Sequence, residues 1–383
     1  MTSPEAVEPL PAPGDAVPSL ADDDARPDDV APHHRLAPAA EPIARHLHGP
    51  FDDADAPVLV LSHGITDSAA CWAGAVEHWT SAGYRVVALD ARGHGDSPRW
   101  EDADLTDQAT AGARLAEDLE STLEDLRAHG LRPSPDAPDA GPLTAPLVVV
   151  GHSMGGVTSL DVAARRPDLV DAAIGEDPAF TTPAWNRLLR LNAYRQVREM
   201  RGIAADPEAR YALETRDNPT WSHEEVRASV EASSGVDLRF IALGCVAPPT
   251  PWERIVDGLA VPTLIVTGTR RVVLRGSYFP AVTGRGNPKV AGAVVVGVTA
   301  VPELCLWGAT DVPGRVTRNP WNPDLSPGGS SGGSGAALAS GFGPLATASD
   351  IAGSTRLPAA FTGTVGFKAP YGRIPGEPPL SAD

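Results

Sequence analysis

Residues 151–155, Gly-His-Ser-Met-Gly, form a G-x-S-x-G pentapeptide that directly follows the apolar run "APLVVV" (145–150). A serine on a tight strand-to-helix turn takes up a strained backbone, and neighbours without a Cβ relieve the clash. Such a turn exposes the Ser153 hydroxyl and aims the Met154 N–H, at a helix start, into the space beside it. A second donor is expected from Ile65 in the turn "HGI" (63–65), and together the two N–H groups would bind an oxyanion. A second serine-bearing stretch, "PGGSSGGSG" (327–335), has the composition of a flexible linker. Its flanks argue otherwise. The apolar "GAVVVGVTAVPELCLWG" (292–308) reads as a buried strand with a turn, and 343–376 is dense in small residues, proline and paired turns.

The elements that must position these serines follow from pattern. "PVLVLSHG" (57–64), "YRVVAL" (84–89), "PLVVVG" (146–151), "DAAIGE" (171–176) and "VPTLIVTG" (261–268) are short apolar, β-branched runs closed by glycine or acid, hence buried strands. Residues 104–130 carry apolar positions at helical spacing, with Gly130 as the C-cap. Strands alternating with helices predict a parallel sheet covered on both faces, and the Arg- and Trp-rich stretch 181–255 predicts an inserted helical cap.

Composition bounds the rest. The chain has 383 residues and a net charge of −18. The stretch 1–55 is acidic and proline-rich without strand or helix period and reads as a disordered leader. Clustered Lys and Arg are missing, which argues against nucleic acid as a partner. No basic segment precedes an apolar one at the N-terminus, so no signal peptide is expected, and the most apolar window is broken by Pro302 and Glu303, so no membrane span is expected. Cys71, Cys245 and Cys305 lack ligand or CxxC spacing and read as reduced thiols of a cytoplasmic protein. The histidines and acids show no ligand spacing, so neither metal nor organic cofactor is expected. Both lysines lie beyond residue 271, whereas all ten histidines lie at or before His223, a compositional break that suggests two segments of separate origin.

With "SHGITDS" after one strand, "LDARGHGDS" after the next and GHSMG after the third, residues 57–268 resemble the α/β-hydrolase superfamily. The resemblance implies an α/β fold, a core over 56–180, a cap over 181–255 and a last strand and junction over 256–271. It makes Ser153 the nucleophile, Ile65 and Met154 the oxyanion donors, and His94 a structural residue. The implied acid after the late strand is replaced by Thr269, with Asp177 or Glu176 as substitutes, and the implied late histidine has no counterpart except His223 of the cap. Residues 290–376 resemble the amidase signature family, within a segment 272–383 expected to be a truncated α/β domain. That resemblance implies Ser354 as nucleophile, Ser330 as a bridging serine on a cis peptide, Ile351, Ala352 and Gly353 as oxyanion donors, and Ser331 and Asp350 in support. Ala352 stands where glycine is usual, which would be strained if its φ were positive. The relay's lysine should lie near Val266–Thr267; Lys289 and Lys368 are the lysines present. The chain stops at Asp383 where amidases continue.

The reading is therefore a hydrolase of small carboxylic esters or carboxamides, a fusion with both bases missing and impaired activity expected. The alternatives are amidase action through Ser354 and Ser330, and a non-catalytic chimera that only binds carbonyl ligands. A serine hydroxyl without a base stays protonated and weakly nucleophilic.

Overall fold

The computed structural model describes residues 39 and 41–370 apart from 139, 219–220, 269–272, 275–278, 295–309, 313–314 and 351. The chain forms two compact units, one reaching Thr267 and resuming over Val272–Ala293, the other continuing from Val294.

The first unit is built on a seven-stranded sheet of β1 (Arg45–His48), β2 (Val58–Ser62), β3 (Arg85–Leu89), β4 (Leu147–His152), β5 (Ala172–Glu176), β6 (Thr263–Thr267) and β7 (Val290–Val294), in the order β1-β3-β2-β4-β5-β6-β7. Strands β3, β2, β4, β5 and β6 run parallel, with Val60 beside both Val87 and Val149. Burial on both faces explains their continuous Val/Leu/Ile composition, since Val58, Val60, Leu61, Val86, Val87, Leu147 and Val149 are all essentially inaccessible.

Helices α1 (Ala73–Ser81), α2 (Gln108–His129) and α3 (Ser153–Arg165) follow the first strands, and α3 packs on β4, β5 and α2. Helix α2 starts where the Asp107 carboxylate accepts the Thr110 N–H and ends at Gly130, whose φ of +76° and N–H to Leu126 O close the last turn. Between β5 and β6 lie α4 (Pro183–Ala205), α5 (Pro207–Asp217), α6 (His223–Gly235), α7 (Leu238–Leu243) and α8 (Trp252–Gly258); α9 (Phe279–Thr283) precedes β7. Trp100 stacks on Phe240 at 4.7 Å and, with Met154, Met200, Ile203 and Val230, forms the core beneath these helices.

One feature departs from the sequence reading. Strand β1 lies inside the stretch read as a disordered leader. It pairs antiparallel with β3, and its polar residues are engaged: Arg45 with Asp125 at 2.7 Å and His46 with Asp90 at 2.9 Å. An edge strand that buries only one face carries no apolar run, so its composition resembled the leader. Beyond β6, the chain continues the sheet: the Thr263 N–H donates to Lys289 O at 2.8 Å and β7 borders β6. The remainder of the apolar stretch, 295–300, lies outside the described residues, as do Thr269, Arg270 and Arg271 and the leader up to residue 38.

The loop after β3, "DARGHGDS", is a structural node. Asp90 accepts the N–H groups of Ala69 at 2.7 Å and Asp96 at 3.0 Å, and the Ser97 hydroxyl donates to Asp90 O at 2.6 Å. Arg92 is buried and grips Asp118 with two bonds of 2.9 Å from Nε and Nη2, and Nη2 also donates to Glu41 O at 2.8 Å.

In the second unit, β8 (Asp311–Val312) pairs antiparallel with β9 (Arg315–Val316), and α10 (Gly332–Ala339) packs on α11 (Arg356–Thr362). Close packing there needs small residues: a Cβ on Gly335 would lie 3.2 Å from Pro358 Cβ. The Thr310 hydroxyl, fully buried, donates to Gly328 O at 2.8 Å.

The Arg92–Asp118 pair generates a test. Asp118→Asn leaves a buried guanidinium without its counter-charge and is expected to destabilise the fold by about 3–5 kcal/mol, read as a lower midpoint of urea unfolding at unchanged slope.

Candidate active site

The turn from β4 into α3 has the geometry the pentapeptide predicts. Ser153 has a φ of +52°, in the left-handed region that a non-glycine residue adopts at a cost. It is held there by absence of space. A Cβ on Gly151 would overlap the Gly155 carbonyl, and one on Gly155 would overlap the Ser62 and His63 carbonyl oxygens. The Gly155 N–H donates to His63 O and Ala179 N–H donates to Ser153 O, both at 3.0 Å. The first turn of α3 is thereby pressed against the end of β2. Met154 is buried, and its N–H, in the first helical turn, has no acceptor within the helix. Ile65 packs on the core beneath the cap, and its carbonyl receives His94 Nε2 at 2.8 Å.

A cleft of 340 Å³ opens at the C-terminal ends of β2, β4 and β5, lined by Asp67, His152, Glu176, Trp72, Trp221 and Glu225. Its polar centre is a pair that motif reading overlooked: His152 Nδ1 lies 3.6 Å from Asp67 Oδ2, an ion-pair distance just beyond hydrogen-bond reach. Gly64 makes this approach feasible, because a Cβ there would sit 2.5 Å from Asp67 Oδ2 and 3.0 Å from His152 Nδ1. Burial works to lower the His152 pKa, but the Asp67 carboxylate outweighs it, helped by the charges of Glu176 and Asp177, and the imidazole titrates above its usual value. Burial likewise disfavours the Asp67 anion, and His152, His63 and the Gly64 N–H reverse that and pull Asp67 below the ordinary carboxylate value. Cys71, on the same cleft, is pushed up to about 11 by burial and by Asp67, so its thiol stays protonated.

The other imidazoles near this region are occupied. Buried His63 receives the Ala91 N–H on Nε2 at 2.9 Å and faces Gly64 O with Nδ1 at 2.7 Å, which assigns a neutral ring; burial and His94 lower it to about 4. His94 is fully buried between Arg92 O at 3.0 Å and Ile65 O at 2.8 Å, in keeping with a structural role, and burial lowers its pKa. His223 is exposed and sits 2.6 Å from the Tyr211 hydroxyl. Of the two substitute acids, Asp177 is spent on backbone. Its carboxylate accepts Val273 N–H and Leu274 N–H, each at 2.7 Å, and the Thr267 hydroxyl at 3.3 Å, and its φ is +43°. Glu176 lines the cleft.

The second unit brings its serines together through backbone. The Gly329–Ser330 peptide is cis, and the Ser331 N–H donates to Ser354 O at 3.2 Å. Ser330 is buried, and its Oγ has no hydrogen-bond partner among the described residues. Ser331 Oγ reaches Ser349 O at 3.4 Å. Asp350 is held well below the usual carboxylate range, chiefly by the Arg356 guanidinium, which binds it through Nε at 2.9 Å and Nη2 at 3.0 Å. The Gly353 N–H, expected to face an oxyanion, instead donates to Asp350 at 2.8 Å. Ala352 is not strained, since Ser153 and Asp177 are the non-glycine residues with positive φ among those described. Ile351 lies outside the described residues. Lys368 forms an ion pair with Asp350 at 3.5 Å, and Lys289 is exposed in the turn before β7.

Among the described residues one cluster could hold a cation: His46, Asp90 and Asp96, whose ligand atoms lie within 4.8 Å of one another. The Asp90 oxygens are already committed to two backbone N–H groups and to His46. Sequence spacing could not reveal it, because the sheet joins β1 to the β3 loop.

Comparison with known proteins agrees with this architecture. The family model described as serine aminopeptidase, S33, matches residues 53–270, and the amidase model matches 288–381. The amidase-like part is 51% identical over 87 residues to a glutamyl-tRNA(Gln) amidotransferase polypeptide of Alkaliphilus metalliredigens, covering 22% of this chain and 18% of that protein. It is 50% identical over 90 residues to indoleacetamide hydrolase of Bradyrhizobium diazoefficiens, covering 23% of this chain and 17% of that one. The chain thus spans under a fifth of the length of these curated relatives. An enol-lactonase structure from Burkholderia xenovorans is similar at a TM-score of 0.49 and 19% identity, over 66% of this chain and 87% of the other. Over residues 53–270 the chain belongs to the serine aminopeptidase S33 family of α/β-hydrolases, and an amidase segment follows it over 288–381.

Proposed function

We propose that the protein is a serine hydrolase that cleaves a small carboxylic ester or amide through Ser153, with the N–H groups of Met154 and Ile65 binding the oxyanion. The observation that carries this reading is the left-handed backbone of Ser153, held by two glycines that leave no room for relaxation. Strain of that kind persists where the surroundings over-determine it, and here it sets a hydroxyl at the mouth of a helix. The neighbouring His152 lines a cleft of a size suited to a small substrate.

The amidase segment is proposed to be catalytically silent in this chain. A relay through Ser330 needs a base on its hydroxyl, yet Ser330 Oγ is unpartnered among the described residues, which include both lysines. The chain reads as a fusion of two hydrolase segments of which the first acts. The free thiols Cys71 and Cys245 support a reducing, cytoplasmic setting. No helix among the described residues is long and apolar enough to cross a membrane.

A fluorophosphonate reagent tests the assignment: labelling of the wild type is expected to vanish in Ser153→Ala and persist in Ser354→Ala. Labelling lost only in Ser354→Ala would transfer the activity to the amidase serine, and an unlabelled wild type would favour a chimera that binds without turnover. Asp177 is expected to be structural. Asp177→Asn should destabilise the protein by about 1–3 kcal/mol by orphaning a backbone N–H, seen in thermal unfolding, while the folded variant reacts with the reagent at the wild-type rate.

A further inference from the structure

Away from the cleft, the pairing of β1 with β3 sets three ligand-type side chains together. His46 stands on β1 opposite Ala88, and Asp90 and Asp96 lie on the loop that leaves β3. Their donor atoms, one imidazole nitrogen and two carboxylate oxygens, fall within 4.8 Å of one another. We propose that His46, Asp90 and Asp96 bind a divalent transition-metal ion of the zinc type, which clips the edge strand β1 to the loop after β3. The proposal is independent of the assignment of Ser153.

The spacing is close to that of a ligated set. His46 Nε2 lies 2.9 Å from Asp90 Oδ2 and 3.9 Å from Asp96 Oδ2. A tetrahedral zinc ion with nitrogen and oxygen at about 2.0–2.2 Å holds its ligand atoms roughly 3.3–3.5 Å apart. The two observed distances fall on either side of that value. Entry of the ion therefore needs only small rotations of His46 and of the exposed Asp96 carboxylate.

Asp90 is the fixed member. It is buried, its Oδ1 accepts the Ala69 N–H at 2.7 Å and its Oδ2 accepts the Asp96 N–H at 3.0 Å. A carboxylate oxygen accepts at two lone pairs, so Oδ2 keeps one beyond the Asp96 N–H, and that one meets His46 Nε2. The metal ion takes this place between nitrogen and oxygen, and any proton held there leaves to solvent. The backbone N–H groups then act as outer-shell donors that orient the ligating carboxylate. Gly95, with a φ of +45°, lets the loop wrap so closely, because a Cβ there would overlap the Asp90 carboxylate.

The donor set selects the class of ion. Calcium and magnesium prefer shells built from oxygen alone, whereas an imidazole with carboxylates suits zinc and its neighbours in the first transition row. Two carboxylates beside a neutral imidazole balance the charge of a divalent ion. The His46 side chain is 35% exposed and that of Asp96 80%, which gives the ion an entry path and leaves its fourth position to water. Strand β1 is four residues long and hydrogen-bonds to β3 alone, so a metal bond from its second residue fastens a short edge.

The test is a calorimetric titration of the full chain with zinc chloride, after a chelator has stripped the protein and been removed. The wild type is expected to bind zinc, and its midpoint of urea unfolding to rise with zinc concentration. His46→Gln keeps a side-chain donor for Asp90, and Asp96→Asn keeps the backbone N–H that Asp90 accepts, so both variants are expected to fold. Each is expected to weaken binding by at least about tenfold, the scale on which even an outer-shell partner of a metal ligand counts, and to abolish the rise in midpoint. Unchanged zinc affinity in both folded variants would overturn the proposal, since the ion would then sit elsewhere. A wild type that binds no zinc would overturn it equally. Displacement of zinc by an equal concentration of magnesium or calcium would overturn the class of ion. Should one variant fail to fold, unchanged affinity in the other suffices to overturn the site.

Discussion

The close approach of the first turn of α3 to the ends of β2 and β4 is the constraint on which the first unit turns. Gly155 lies where any side chain would strike the Ser62 and His63 carbonyls, and Gly151 lies where one would strike Gly155. That packing forces Ser153 to a φ of +52° and leaves the Met154 N–H at an open helix end. It also draws the carboxyl end of β4 toward the turn after β2, which is how His152 comes to face Asp67 across Gly64. Strain, an open backbone N–H and the ion pair are consequences of one steric fact. Relaxing it at either glycine would move all three together.

Charge in this unit is organised by arginine forks. The long helix α2 offers Asp118, Glu120, Glu124 and Asp125, and these receive Arg92, Arg165, Arg166 and Arg45. A guanidinium suits this task because it binds a carboxylate through two parallel bonds and loses little order on doing so. The buried Arg92–Asp118 pair fastens the loop after β3, with Asp90 and Ser97 tying the same loop to the turn at Ala69, before α1, and to the segment before β1. The acidic surplus of the chain is thus partly consumed in holding loops near the cleft, and His94 belongs to that scaffold.

Much of this was legible in the sequence, for identifiable reasons. Buried parallel strands are continuous apolar runs, so β2 to β6 fall within the stretches read as strands, and Gly130 and the glycines of GHSMG mark their turns because backbone geometry there excludes side chains. The serine-rich loop of the second unit was readable through family resemblance, and the cis bond falls at Gly329–Ser330 as that resemblance implied. What was not legible depends on tertiary partners. Strand β1 is polar because Arg45 and His46, which point to opposite faces, meet Asp125 and Asp90, residues far along the chain. The meeting of His152 with Asp67 joins positions 85 residues apart in number, and its only local trace is a histidine inside the motif and a glycine at 64. Asp177 was read as a candidate acid because its position after β5 suits one, whereas its oxygens are taken by the turn at 273–274.

The two serine sites differ less in their hydroxyls than in what surrounds them. Ser330 Oγ is buried with no acceptor among the described residues, and a hydroxyl in that state cannot release its proton without creating an unsolvated alkoxide. The supporting groups around Ser354 are locked into one another, with Asp350 held by Arg356, Lys368 and the Gly353 N–H. Each such bond stabilises the segment and removes a group from chemistry. Ser153 stands in the opposite situation: its neighbour His152 lies in an open cleft with one carboxylate partner and one nitrogen uncommitted among the described residues. A catalytic centre requires groups that are positioned yet unsatisfied, because the substrate must complete their hydrogen bonding in the transition state. The groups around Ser354 complete one another's bonding, whereas His152 faces an open cleft.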